Sequence, residues 1–199
     1  SPLEGLTPAE MAPFSVAPEA WGEFLCALFD EWVRQDVGTF FVQLFDATLA
    51  GWMGVPGSLC TMAETCGHAT AMEHNGDIYA CDHYVFPEFK LGNLHEKSLA
   101  EMVYSPEQRE FGEHKRKGLT RQCKECEWRF ACHGDCPRTR FVTDKYGQMG
   151  HPYLCAGWQL YFAHVAPYMD FMKRQLMVNL PPAAVMKAVT RIEEERNRG

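Results

Sequence analysis

Apolar side chains first fall into a helical rhythm between residues 18 and 36. Trp21, Phe24, Leu25, Leu28, Phe29 and Trp32 follow i, i+3, i+4, i+7 spacing, and Pro18 suits the first helical position. Gly38 is the stop, and Thr39–Phe45 is rich in β-formers, so a strand is expected there. That order, followed by Asp46–Trp52, reads as the edge of an α/β unit, with a small independent helical cap as the alternative. After a turn at Gly54–Gly57 the rhythm is lost. Asn75-Gly76 then separates Ala69–His74 from Asp77–Cys81, and this dipeptide suits a two-residue type I′ hairpin. In that register His74 faces Asp77 and Thr70 faces Cys81, so Cys66 lies close to where Cys81 leaves the hairpin.

Two short helices follow, each opened by a capping-box pattern: Ser98 with Glu101, then Ser105 with Gln108. The second closes on His114, Lys115, Arg116 and Lys117 before Gly118, cations at the negative helix end. Residues 119–155 carry little periodicity, as expected where metal replaces an apolar core. From Ala156 to about Leu176 helix returns, kinked or restarted at Pro167, with Tyr161, Val165, Met169, Met172 and Leu176 as its packing stripe. Arg191–Gly199 is charged and reads as a frayed, solvated helix end. There is no internal repeat.

At 199 residues, 46% hydrophobic and 23% charged, the chain has the composition of a globular protein with a real core. No apolar run approaches the roughly 20 residues needed to cross a bilayer. Ser1-Pro2-Leu3-Glu4 shows no signal-peptide pattern, and a start without methionine suggests an excised segment. Nine cysteines without an export signal point to metal ligands in a reducing cytoplasm, not to disulfides. Cys26, inside the first helix, is the odd one out and reads as an inert buried thiol. The net charge of −7 is uneven: residues 1–60 hold one cation and eight carboxylates, residues 114–140 eight Lys or Arg and three carboxylates. A basic stretch can bind nucleic acid, but this one encloses four cysteines. Cations that offset an anionic thiolate centre are the preferred explanation, and no nucleic-acid or membrane partner is expected.

The strongest chemical signal is Cys123-x2-Cys126-x5-Cys132-x3-Cys136-Pro137. Cys60, Cys66, Cys81 and Cys155 raise the count to eight, enough for two four-cysteine sites. Zinc sites usually combine two closely spaced pairs per ion, whereas only one such pair occurs here. Long, uneven spacing favours bulky iron–sulfur clusters, with zinc as the alternative. A cysteine before proline crosses to the other cluster in two-cluster ferredoxins, and Cys136 is a candidate for the same behaviour.

These spacings resemble the SPASM domain, the auxiliary-cluster extension of radical S-adenosylmethionine enzymes that modify peptides and proteins. Its seven-cysteine pattern is met at Cys66, Cys81, Cys123, Cys126, Cys132, Cys136 and Cys155. Cys60, with the segments Asn75–Val85 and Lys90–Leu94, narrows the resemblance to the anaerobic sulfatase-maturating enzymes, over roughly residues 15–177 and most specifically 60–160. The resemblance implies an α+β fold: a small cysteine-rich domain at 59–160 with a β-hairpin, short helices and a C-terminal helix. Before it, residues 1–58 would be the last α/β piece of a partial barrel, and 161–199 would be a helical segment. Two [4Fe-4S] clusters are implied, the first on Cys60, Cys66, Cys81 and Cys136, the second on Cys123, Cys126, Cys132 and Cys155.

The implied reaction oxidises a cysteine or serine of a sulfatase polypeptide to formylglycine, with Asp82 as the base. His83 and Tyr84 are candidate substrate or supporting contacts, and His133 and Arg138 candidate modulators of cluster charge. S-adenosylmethionine and a third cluster would belong to a missing N-terminal part, because Cys-x3-Cys-x2-Cys is absent. The chain alone is therefore expected to be catalytically incomplete. A flavodoxin or ferredoxin reductant and a monomeric state are expected. Another peptide-modifying SPASM enzyme and a zinc-stabilised binding module are the competing readings.

Overall fold

The structure is a computed structural model and describes residues 14–56 and 58–198. The N-terminal tetrapeptide, Gly57 of the expected turn and Gly199 lie outside those residues. Helix α1, Pro18–Gln35, forms where the apolar rhythm predicts it and buries Leu25, Phe29, Trp32 and Val33. The strand expected over Thr39–Phe45 does not form. Helix α2, Gln43–Trp52, takes over instead. β-Forming side chains favour extended backbone only where another strand pairs with them. Here a helix puts Phe45, Thr48 and Trp52 toward the long C-terminal helix. The Thr48 and Tyr161 hydroxyls lie 3.0 Å apart, and Trp52 Nε1 donates to Asp170 Oδ1 at 3.0 Å.

The cysteine-rich half holds two small antiparallel sheets and four short helices. Strands β1 (Ala71–Met72), β2 (Asp77–Tyr79) and β3 (Lys90–Asn93) lie in that order. Helices α3 (Leu99–Val103) and α4 (Pro106–Lys117) follow, then α5 (Arg121–Glu125) and α6 (Arg129–Cys132). Strands β4 (Val142–Thr143) and β5 (Met149–His151) form the second sheet. The capping box of α3 is complete, Ser98 and Glu101 each satisfying the other's backbone N–H. At α4, Ser105 caps Gln108 N, but the Gln108 side chain is used elsewhere.

The hairpin register differs by one residue from expectation: Ala71 faces Tyr79 and Met72 faces Ile78. The turn has three residues, not two. Gly76 N donates to Glu73 O at 2.9 Å, and Gly76 alone takes the left-handed conformation, with φ 86°. A type I′ turn would need positive φ at Asn75 as well. Asn75 instead accepts Asp77 N at its Oδ1 and donates its amide to Asp77 Oδ2, both at 3.1 Å.

Helix α7, Cys155–Met177, runs unbroken through Pro167, so the helix does not end and restart there. Val165, Tyr168 and Met169 are all 0% exposed, so packing around the proline holds the helix together. A 3₁₀ segment, Pro182–Lys187, and helix α8, Val189–Arg196, then fold back. The C-terminal stretch expected to fray is thus helical to Arg196, with Ile192 buried and Glu193 paired to Arg34 at 2.7 Å. The main core unites α1, α2, α7 and α8. No helix is long and apolar enough to cross a membrane among the described residues. A helical core joined to a region of short helices and small antiparallel sheets gives the α+β class.

Helices α1 and α7 touch through two glycines. A Cβ on Gly157 would stand 2.2 Å from Pro18 O, and one on Gly22 2.7 Å from Gly157 O. Gly157→Ala must push the helices apart, and overpacking of this kind costs about 1–3 kcal/mol. Chemical denaturation should show a lower midpoint with an unchanged slope.

Candidate metal centres

Four thiols, those of Cys60, Cys66, Cys81 and Cys136, line one cavity together with Asp82 and His83. Each is brought there by a different device. Cys60 opens a single 3₁₀ turn, Cys60–Met62, and the buried ammonium of Lys115 donates to Cys60 O at 2.6 Å and Thr61 O at 2.9 Å. Cys66 N donates to Gly112 O at 3.1 Å, and a Cβ on Gly112 would lie 2.5 Å from Cys66 O. Only glycine lets α4 approach so closely. Gln108 Nε2 then donates to Gly67 O at 2.9 Å and Ala80 O at 3.1 Å, fastening the Cys66 loop to the segment that delivers Cys81. Ala80, Tyr84 and Phe111 form a small apolar cluster beneath, with Cys66 and Cys81 packed against it.

The other four thiols line a second cavity. Cys123 sits within α5, Cys126 caps it, Cys132 is the last residue of α6 and Cys155 the first of α7. Sequence reasoning missed the polar residues among them. Gln159 Nε2 lies 3.9 Å from Cys126 Sγ and 3.8 Å from Cys155 Sγ. His151 Nδ1 lies 3.5 Å from Cys123 Sγ and 3.0 Å from Thr120 Oγ1. Only the spacing of Gln159 from Cys155, one helical turn, was visible in advance.

Cys132 and Cys136 belong to different cavities although only three residues separate them. All three, His133, Gly134 and Asp135, have positive φ (49°, 76° and 57°). Arg140, 6% exposed, holds this turn by donating to Gly134 O (2.8 Å), His133 O (3.2 Å) and Asp135 O (3.1 Å), and reaches Lys115 O at 2.7 Å. The Asp135 carboxylate accepts from Cys136 N at 2.7 Å and Trp158 Nε1 at 3.1 Å.

Burial pushes the thiols up: Cys81, Cys132 and Cys155 to about 12 and Cys136 to about 11, with neighbouring thiols and carboxylates adding to it. Cys66 and Cys123 are raised for the same reason. Protonated sulfurs gathered in fours are poor nucleophiles but become strong ligands when a metal displaces the protons. An all-sulfur set of four is the ligand set of a four-iron cluster. The described cysteines are free thiols, Cys26 included; burial raises Cys26 to about 11, and its Sγ lies against Leu160 O.

Asp82 does not continue a strand. β2 stops at Tyr79, and Asp82–Tyr84 is a 3₁₀ turn. Its carboxylate, 77% exposed, accepts from Cys81 Sγ at 3.1 Å, and that bond holds its pKa below the usual value. His83 Nδ1 stands 3.6 Å from Cys136 Sγ. Tyr84 is buried against Phe89 and Phe111. Arg138 stacks its guanidinium over Phe86, while burial and the nearby Lys115 lower the pKa of His133.

Residues 60–127 match the family model for SPASM, an iron–sulfur cluster-binding domain. Cys132, Cys136 and Cys155 lie beyond the matched segment. The chain is 57% identical over 179 residues to the serine-type anaerobic sulfatase-maturating enzyme of Bacteroides thetaiotaomicron, covering 90% of this chain and 43% of that protein. Against the cysteine-type enzyme of Clostridium perfringens (strain 13 / Type A) identity is 28%, covering 77% of this chain and 42% of the relative. Native anSMEcpe, solved with bound AdoMet and Kp18Cys peptide, is similar in structure, with a TM-score of 0.73 at 26% identity over 88% of this chain and 48% of that one. The chain therefore spans less than half the length of these relatives.

Gly112→Ala should separate α4 from the Cys66 loop. Iron bound after anaerobic reconstitution should fall by about half, since one centre of two is affected, while the second centre keeps its absorbance. Equal loss from both centres would contradict the local role of this contact.

Proposed function

We propose that this chain, which carries a SPASM iron–sulfur cluster-binding domain, is the auxiliary-cluster portion of an anaerobic sulfatase-maturating radical S-adenosylmethionine enzyme. The observation that carries the proposal is the sorting of eight cysteines into two cavities, four to each. Cys60, Cys66, Cys81 and Cys136 would hold one [4Fe-4S] cluster, and Cys123, Cys126, Cys132 and Cys155 the other. Bound there, the clusters supply one-electron redox chemistry. The proposed division is barrel remnant at 1–58, SPASM domain at 59–160 and helical segment at 161–199. Helix α7 crosses the last boundary and ties the cluster region to the main core.

The reaction proposed for the whole enzyme converts a side-chain CH₂OH or CH₂SH of a sulfatase polypeptide to the aldehyde of formylglycine. A hydrogen atom would leave Cβ to a 5′-deoxyadenosyl radical, a proton would go to a base and one electron would be passed on. From CH₂OH this gives the aldehyde directly, and from CH₂SH a thioaldehyde that water hydrolyses to the aldehyde with release of H₂S. Asp82 is the proposed base. Its carboxylate lies at the rim of the first cavity, exposed enough for a polypeptide to reach it. A base must come within about 3 Å of the proton it removes, so this accessibility counts for more than basicity. The 57% identity to a serine-type enzyme, against 28% to a cysteine-type one, favours serine as the residue oxidised. A flavodoxin or ferredoxin reductant, a monomeric state and a reducing cytoplasm complete the proposal.

Anaerobically reconstituted protein should be brown, with about eight iron and eight sulfide per chain. Cys81→Ala should lower both to about four. A colourless protein with two zinc ions would overturn the cluster assignment. In the full-length enzyme, Asp82→Asn should abolish aldehyde formation on a sulfatase peptide while reductive cleavage of S-adenosylmethionine continues. Product formed at the wild-type rate would remove Asp82 as the base.

A further inference from the structure

We propose that Arg140, assisted by Lys115, is a positioning residue shared by both cysteine quartets, its buried charge setting how readily each centre accepts an electron. This rests on the reading that both quartets hold iron–sulfur clusters. Arg140 is 6% exposed and Lys115 0% exposed. Every hydrogen bond that Arg140 donates goes to a backbone carbonyl, of His133, Gly134, Asp135 and Lys115. Lys115 likewise donates to two carbonyls, those of Cys60 and Thr61. Neither forms a carboxylate ion pair among the described residues.

Carbonyl oxygens satisfy the N–H groups but cancel no charge. A buried cation left without an anion is costly, and two in one small domain call for a shared counter-charge. The anionic groups that act most strongly on Arg140 are Cys123, Cys132 and Cys136 with Asp135, and on Lys115 they are Cys66, Asp135 and Cys136, with Arg140 itself opposing the Lys115 charge. Asp135 offers one negative charge to two cations, which leaves the sulfurs to supply the balance once they bind metal as thiolates. Arg140 holds the turn that joins Cys132 of one quartet to Cys136 of the other, whereas Lys115 is fastened to Cys60 of the first. Each added electron makes a thiolate-bound cluster more negative, so a fixed cation close by favours reduction.

The test is an anaerobic redox titration of the reconstituted chain, followed by electron paramagnetic resonance, with iron counted in every sample. Arg140→Gln should make reduction of both centres about tenfold less favourable, a downward shift of about 59 mV for one electron. Lys115→Met should move one centre only. Arg140→Lys, which keeps the charge but loses the fork of donors, should leave both potentials near the wild-type values. If Arg140→Gln empties both sites, retention of iron at wild-type potentials in Arg140→Lys still supports a role for charge. Equal loss of iron in both variants makes Arg140 a structural brace and overturns the proposal. Unmoved potentials in Arg140→Gln and Lys115→Met, with about eight iron in the wild type, sink this inference alone. A wild-type chain that takes up no iron sinks the cluster reading and this inference together.

Discussion

Cys132 and Cys136 must face different cavities although they are four positions apart. Had α6 continued, an i, i+4 pair would lie on one face of one helix, and both sulfurs would enter the same site. The chain avoids this by ending α6 at Cys132 and passing three consecutive residues through positive φ. Left-handed backbone at His133 and Asp135 costs roughly 1–2 kcal/mol per residue. That strain is offset locally: Asp135 caps the N–H of Cys136, and Arg140 gathers the carbonyls of all three residues. Separation of the two quartets thus depends on one short turn and one guanidinium.

Each cavity leans on its own apolar support. The second lies against the helical core, where Trp128, Cys132 and Leu154 pack on the buried cluster. The first rests on the smaller Tyr84–Phe111 cluster, too small to hold four separate loops by burial alone. Backbone-directed side chains supply the rest there, with Gln108 and Lys115 each bridging two carbonyls and Gly112 permitting close approach. With so little apolar burial at the first cavity, metal binding and folding of that region become a single linked equilibrium.

Helix α1 was legible because one stripe of large apolar residues needs only its 3.6-residue period, and the Ser98 cap because its partner lies three residues away. Long-range choices were not. Thr39–Phe45 has strand composition, yet α7 offers a packing surface and no strand a ladder, so α2 begins at Gln43. The Asn75-Gly76 hairpin was visible, but Asn75 spends its side chain on Asp77, and that changes the register. β3 and the continuity of α7 through Pro167 likewise depend on partners distant in sequence. Eight cysteines could be picked out by spacing. Their division into fours came from resemblance, and the two cavities contain those same sets. Arg140 and Lys115 were hidden within the basic stretch, because nothing local distinguishes them from the exposed Arg116 and Lys124.

The two cavities differ in what surrounds the sulfurs. An exposed carboxylate and an imidazole stand at the rim of the first, whereas an amide and an imidazole lie among the thiols of the second. The base of the proposed reaction has to be reachable by a polypeptide, and the exposed Asp82 carboxylate meets that condition. Gln159 is aimed at sulfur from α7, a helix built into the core, and His151 stands beside Cys123 Sγ from β5. The first cavity thus opens beside an exposed carboxylate, whereas the sulfurs of the second lie against the helical core.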